Sequence, residues 1–187
     1  MQNGLRFLIL LLFIGAVQVN VSAQYLSGIA TRWSDDFTEW LLFPENEEAE
    51  EGTLRMRWQN QRDWTVWDYR LGDLTGGIKL KWNGNPNQWE IRGNNEIVTA
   101  RTLWNNNFLE WRITTNSGKT LTLKSRYGNR IDEWEIRDSK LGDFYMYTNW
   151  ENDPREWVIV DDMYEEVSIT TKIAMVFIVV YHSIPKE

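Results

Sequence analysis

The sequence predicts a mainly β protein: an antiparallel barrel of about twelve strands, built from six Trp-paired hairpins around a buried apolar C-terminal helix. Three observations predict it. Aromatic residues recur in pairs about seven apart, with a repeat period of about 22–25 residues. The segments flanking each pair alternate apolar and polar residues. The chain then ends in a run, Ile173–Tyr181, in which alternation stops and every residue is apolar.

The amino-terminal element is an address. Arg6, an apolar stretch Phe7–Val17 and the small-residue site Val21-Ser22-Ala23 have the form of a secretory signal peptide over 1–23. The stretch is short for a membrane span, and Gln18 and Asn20 interrupt it, which disfavours a retained anchor. The mature chain, 24–187, is expected to be exported, periplasmic or extracellular, and to form one domain.

The repeat comes next. Its copies are Trp33/Trp40/Leu42, Trp82/Trp89/Ile91, Trp104/Trp111/Ile113, Tyr127/Trp134/Ile136 and Trp150/Trp157/Ile159, with Trp58/Trp64/Val66 as a sixth copy one residue short. Between the aromatics lie turn formers such as Asn83-Gly84-Asn85-Pro86 and Asn105-Asn106-Asn107. Flanks such as Ile78-Lys79-Leu80-Lys81 have the period of a half-buried strand. With a tight loop, a spacing of seven sets the two aromatics of each unit opposite one another on one face, closing each hairpin with an aromatic pair. Most units carry Glu just before the second Trp (Glu39, Glu110, Glu133 and Glu156), which suits a repeated solvated face.

The last element is a helix over about 165–183. Ser168, Thr170 and Thr171 are candidate caps, acidic residues precede the run and His182 follows it, as a helix dipole favours. A central strand buried on both faces is the rival for so β-branched a run. Geometry favours the helix. Twelve strands about 4.8 Å apart and tilted about 40° close at a radius of roughly 11–12 Å, too wide for strand side chains alone to fill. One helix about 10–12 Å across fills it. An outer-membrane barrel is the architectural competitor, but its strands need about 9–11 residues and a continuous apolar band.

These residues carry a resemblance. Twelve strands in six hairpins, a last strand Trp157-Val158-Ile159-Val160-Asp161-Asp162 and then Ile173–Tyr181 resemble the tubby-like fold of tubby C-terminal domains, LURP-one-related proteins and phospholipid scramblases. The resemblance implies a barrel threaded by its C-terminal helix and a lipid ligand. The chain lacks the cysteine-rich acylation segment and calcium loop of scramblases, and its leader is unlike the intracellular members, so scrambling and intracellular signalling are not implied.

Composition narrows the function. The chain has no Cys and a single His, His182, which excludes disulfides, thiolate chemistry and multi-histidine metal sites. A net charge of −7 argues against nucleic-acid binding. No cofactor or metal site is implied, and the acidic loop Glu45–Glu51 lacks the glycine-bent spacing of a calcium site. The expectation is therefore a non-enzymatic binding or scaffold protein of the cell envelope. If Trp64 and Val66 point inward, Trp67 and Tyr69 point outward beside Arg55, Arg57, Lys79 and Lys81, a basic-aromatic site for anionic lipid headgroups. A bulge in the short sixth hairpin would reverse that facing. The alternatives are a carbohydrate-binding module stacking sugars on Trp67 and Tyr69, and a glycoside hydrolase using paired carboxylates. Tyr145, Tyr147, Val158 and Val160 form a second outward candidate, for a protein contact.

Overall fold

The computed structural model describes residues 25–186; the leader expected over Met1–Ala23 lies outside the described residues. Twelve strands follow one another as a meander: β1 Leu26–Trp33, β2 Asp36–Pro44, β3 Gly52–Met56, β4 Val66–Leu71, β5 Leu74–Trp82, β6 Asn85–Gly93, β7 Glu96–Thr102, β8 Glu110–Thr115, β9 Thr120–Ser125, β10 Glu133–Asp138, β11 Gly142–Trp150 and β12 Asp153–Met163. Each pairs antiparallel with its neighbours, and β1 closes on β12 through Gly28–Val158, Ile29–Trp157 and Ala30–Glu156. Closure leaves no sheet edge to pair with another chain.

The barrel is filled by α1, Ile169–Ser183. Every residue from Ile173 to Val180 is at most 1 % exposed, so the apolar run is a core element surrounded on all sides. The helix begins about four residues later than the sequence suggests. Ser168 is its cap, accepting from the Thr171 amide at 3.1 Å, while the preceding acidic residues stay outside the first turn.

The register corrects the expected pairing of aromatics. The partners of the inward tryptophans are Thr31–Trp40, Met56–Trp67, Leu80–Trp89, Thr102–Trp111, Ser125–Trp134 and Thr148–Trp157. Each buried Trp therefore faces the residue two positions before the first aromatic of its unit, not that aromatic itself. The two rings of a unit do not oppose one another. The second is buried in the lumen, at most 1 % exposed, and the first stands out of the barrel, 51–68 % exposed.

The turn explains this. In five units an Asp or Asn four residues before the buried Trp accepts from the backbone amide two residues on, as Asp36 does from Thr38 at 2.8 Å and Asn107 from Leu109 at 3.1 Å. In five units the buried indole N–H donates at 2.8–3.0 Å to the carbonyl three residues before it. These local bonds take up two extra residues on the returning strand, visible as register shifts in the hairpins of β1–β2, β5–β6 and β11–β12. Trp89 departs from the pattern, and its buried indole nitrogen has no hydrogen-bond partner.

The sixth unit is likewise corrected. Its buried Trp is Trp67, with Asp63 and Trp64 in the places that Asp36 and Phe37 hold before Trp40. The loop from Trp58 is two residues longer than in the other units, not one shorter. Val66 consequently faces outward opposite Lys79, and Trp67 faces inward opposite Ile78.

Candidate functional site

With the lumen occupied by α1, the accessible chemistry lies on the outer wall and the two rims. The predicted basic-aromatic site divides. Arg55 and Arg57 flank Met56 on the third strand and Lys79 and Lys81 stand on β5, all four outward. Trp67 and Tyr69 are not beside them. They are 1 % and 3 % exposed and point into the lumen, because the longer loop shifts the β4 facing by one residue. Trp67 packs edge-on against Phe177 at 5.8 Å. Tyr69 lies over Gly76 and Gly93, where a Cβ would overlap its ring, and its hydroxyl bonds Thr170 of the helix at 3.3 Å. Neither ring can serve as a sugar platform.

The outward cations form two clusters. Arg57 holds Asp68 in a forked pair through Nε and Nη2. Lys79, Lys81 and Arg92 converge on Glu90 at 3.3, 2.5 and 2.8 Å. Glu90 is 3 % exposed, and the hydrogen bonds from Lys81 and then Arg92 pull its pKa down to about 2. Three cations on one carboxylate leave this cluster positive. Beside it, Arg55 opens onto a groove of about 660 Å³ that runs across the outer wall to Arg70 and Thr75 and is bordered by Glu50 and Glu51 of the acidic loop.

The other predicted face is a real juxtaposition. Tyr145 pairs with Val160 and Tyr147 with Val158 across β11–β12, and the two tyrosine rings stack at 5.2 Å. Tyr145 is also engaged by charge: its hydroxyl donates to Glu133 and accepts from Arg126 at 2.9 Å. Burial, followed by the Glu133 bond, pushes its pKa up to about 12, so it stays a neutral donor.

Titratable side chains also lie inside the barrel. Lys172 and Asp161, both 1 % exposed, pair at 2.9 Å near the start of α1, with the Lys172 ammonium 4.1 Å from the Tyr25 ring centre. At the other end His182 lies parallel to Phe108 at 4.8 Å and against Trp111 and Tyr181. Burial in this aromatic cage, reinforced by Lys186, pushes the imidazole pKa down to about 3.

A pH dependence follows. His182 is neutral in the fold, while the unfolded chain takes up a proton near pH 6.5. Its stabilising contribution is complete above that pH and is lost as pH falls toward 3, with a slope of up to about 1.4 kcal/mol per unit. The depressed Glu90 adds a loss only below about 4.5. Chemical denaturation of the His182→Leu variant should therefore show a flatter stability profile than wild type between pH 4.5 and 6.5.

Among the described residues no group of three or more Asp, Glu, His or Cys side chains is gathered so that it could hold a metal ion. Comparisons with family models, with curated proteins and with solved structures give no match for this chain.

Proposed function

We propose that the protein is a non-enzymatic binding module of the cell envelope, which engages anionic phospholipid headgroups through the cations on the outer wall of β3–β6. The observation that carries this is the convergence of Lys79, Lys81 and Arg92 on the single carboxylate of Glu90, which leaves excess positive charge on the wall of an acidic protein. Arg55 stands beside this cluster, on a groove that Glu39, Glu50, Glu51 and Asp68 also line, while Arg57 is paired with Asp68. Phosphate oxygens are good acceptors for such donors, and each cation near an anionic surface contributes about 1 kcal/mol.

Two further points support the reading. The lumen is filled by the buried helix α1, and the charged clusters described here lie on the outer wall. The tubby-like resemblance read from the sequence implies a lipid ligand, which agrees with this reading. The envelope location rests on the leader that the sequence suggests.

Flotation with vesicles tests the proposal. The protein should float with vesicles containing an anionic lipid at 0.1 M salt, and the pair Arg55→Glu with Lys79→Glu should reduce binding by at least tenfold. Binding that the charge reversals leave untouched, or no binding to anionic vesicles, would count against it.

A further inference from the structure

Six aromatic side chains stand exposed at one rim of the barrel: Trp33, Trp58, Trp82, Trp104, Tyr127 and Trp150. Their placement follows from the topology. Each sits at the end of an odd-numbered strand or two residues beyond it. In a closed antiparallel meander all odd strands run the same way, so the six lie at the same end, one every second strand around the circumference. Among the described residues they account for six of the nine large hydrophobic side chains that are exposed, and a seventh, Ile131, lies in the β9–β10 turn on the same rim. The fold does not need them, because the inner ring of tryptophans already fills the barrel around α1.

We propose that this aromatic crown is an interfacial anchor that seats the barrel end-on at the surface of a phospholipid bilayer, independently of anionic headgroups. Three features select that partner. Positions fixed by a closed barrel define a ring, which a flat fluid surface meets at every point and a single extended chain does not. Tryptophan and tyrosine favour the lipid–water boundary, where the ring is accommodated among lipid and the N–H or O–H stays wet. Here two of the indoles are held by their polar edge, Trp82 by Gln88 at 3.2 Å and Trp150 by Glu156 at 3.1 Å, while Arg32 lies over the Trp33 ring at 5.7 Å and Arg126 and Arg130 over that of Tyr127 at 5.4 and 5.9 Å.

Charge selects a neutral surface. Four cations next to the crown are paired on the wall, Arg32 with Glu39 at 2.8 Å, Arg126 with Glu133 at 3.1 Å, Arg57 with Asp68 and Arg155 with Asp153 at 2.6 Å, while Lys81 beside Trp82 shares Glu90 with Lys79 and Arg92. Paired charges over most of the rim suit the balanced headgroups of a zwitterionic lipid. The outer wall behind the crown is charged, which sets the depth: the barrel sits on the membrane and does not present the apolar band of a spanning one.

The test is flotation of the full chain with pure phosphatidylcholine vesicles, at 0.1 and 0.5 M salt. Wild type should bind, with less than a twofold change between the two salts. The exposed-site variant Trp33→Ala/Trp82→Ala/Trp150→Ala, checked for an unchanged near-ultraviolet circular dichroism spectrum and melting curve, should lose at least tenfold. A second variant, Trp58→Ala/Trp104→Ala, should also lose binding, while Arg55→Glu/Lys79→Glu should stay within twofold of wild type. No binding to the neutral vesicles overturns the inference, as does binding that both crown variants retain. Crown-dependent retention on insoluble polysaccharide, or crown-dependent self-association, without vesicle binding also overturns it. Binding only to anionic vesicles, indifferent to the crown, defeats this inference and leaves the basic-wall proposal standing. Crown-dependent binding to neutral and anionic vesicles alike, indifferent to Arg55 and Lys79, does the reverse.

Discussion

Replacing either member of the Lys172–Asp161 pair should destabilise the protein by about 3–5 kcal/mol, whereas replacing both together should cost little. Each side chain is 1 % exposed, and they meet at 2.9 Å between the helix start and the end of β12. Lys172→Met leaves the Asp161 carboxylate buried with only the amides of Leu26 and Met163, at 3.2 and 3.3 Å, to compensate its charge. Asp161→Asn keeps an acceptor for only one of those amides, which bond different carboxylate oxygens, and removes the charge that balances the Lys172 ammonium beside the Tyr25 ring at 4.1 Å. An unpaired charge in such a place pays its desolvation without return.

The double variant Asp161→Asn/Lys172→Met removes both charges and keeps one of the two backbone contacts. Guanidinium unfolding of the four proteins completes a double-mutant cycle, and a coupling energy of at least about 2 kcal/mol is expected. In thermal melts each single variant should fall by roughly 6–20 °C, taking about 2–4 °C per kcal/mol for a chain of this size. Single variants that unfold within about 0.5 kcal/mol of wild type would show that the pair is hydrated and not part of the core.

Much of the architecture was legible because the repeat writes it six times. Alternation gave the strands, copy number gave the barrel, and the apolar run gave the helix that fills it. The facing of the aromatics was not legible from spacing alone. A spacing of seven fits a tight loop, but an Asx turn and an indole-to-carbonyl bond absorb two residues on the return, so that Trp33 ends opposite Asp36 and not Trp40. The signal was present in the sequence: an Asp or Asn stands four residues before the buried Trp in most units, and an apolar or proline residue stands three before. Read on that frame, Asp63-Trp64 places Trp67 in the lumen and takes Trp67 and Tyr69 out of the candidate site.

The cations were placed correctly, because outward alternation on β3 and β5 does not depend on the loop. Their partners were less accessible. By alternation Glu90 is one charge of a polar face, and its capture of Lys79, Lys81 and Arg92 needs the strand register. Alternation along β12 (Trp157, Ile159, Asp161) sets Asp161 on the inner face, but its partner Lys172, eleven residues on across a loop and a helix cap, follows from no strand or helix period. The crown is written in the sequence as the first aromatic of each unit, yet it reads as core until the register shows which ring of each pair goes inside.

The central claim is that α1 is the core of the barrel and not an appendage, and the most direct test is to end the chain after Glu166 and follow unfolding by near-ultraviolet circular dichroism and calorimetry. The segment removed carries eight large apolar residues between Ile173 and Tyr181, each no more than 8 % exposed. At about 1.5–3 kcal/mol each they represent roughly 12–24 kcal/mol of burial, more than the usual net stability of about 5–15 kcal/mol. Their loss would also uncover the inner tryptophan ring, including Trp67 and Trp89, which pack on Phe177 and Tyr181. The truncated chain should lose its near-ultraviolet signal and its cooperative transition, and bind a hydrophobic dye. A truncated chain that still melts cooperatively near the wild-type temperature would contradict the account.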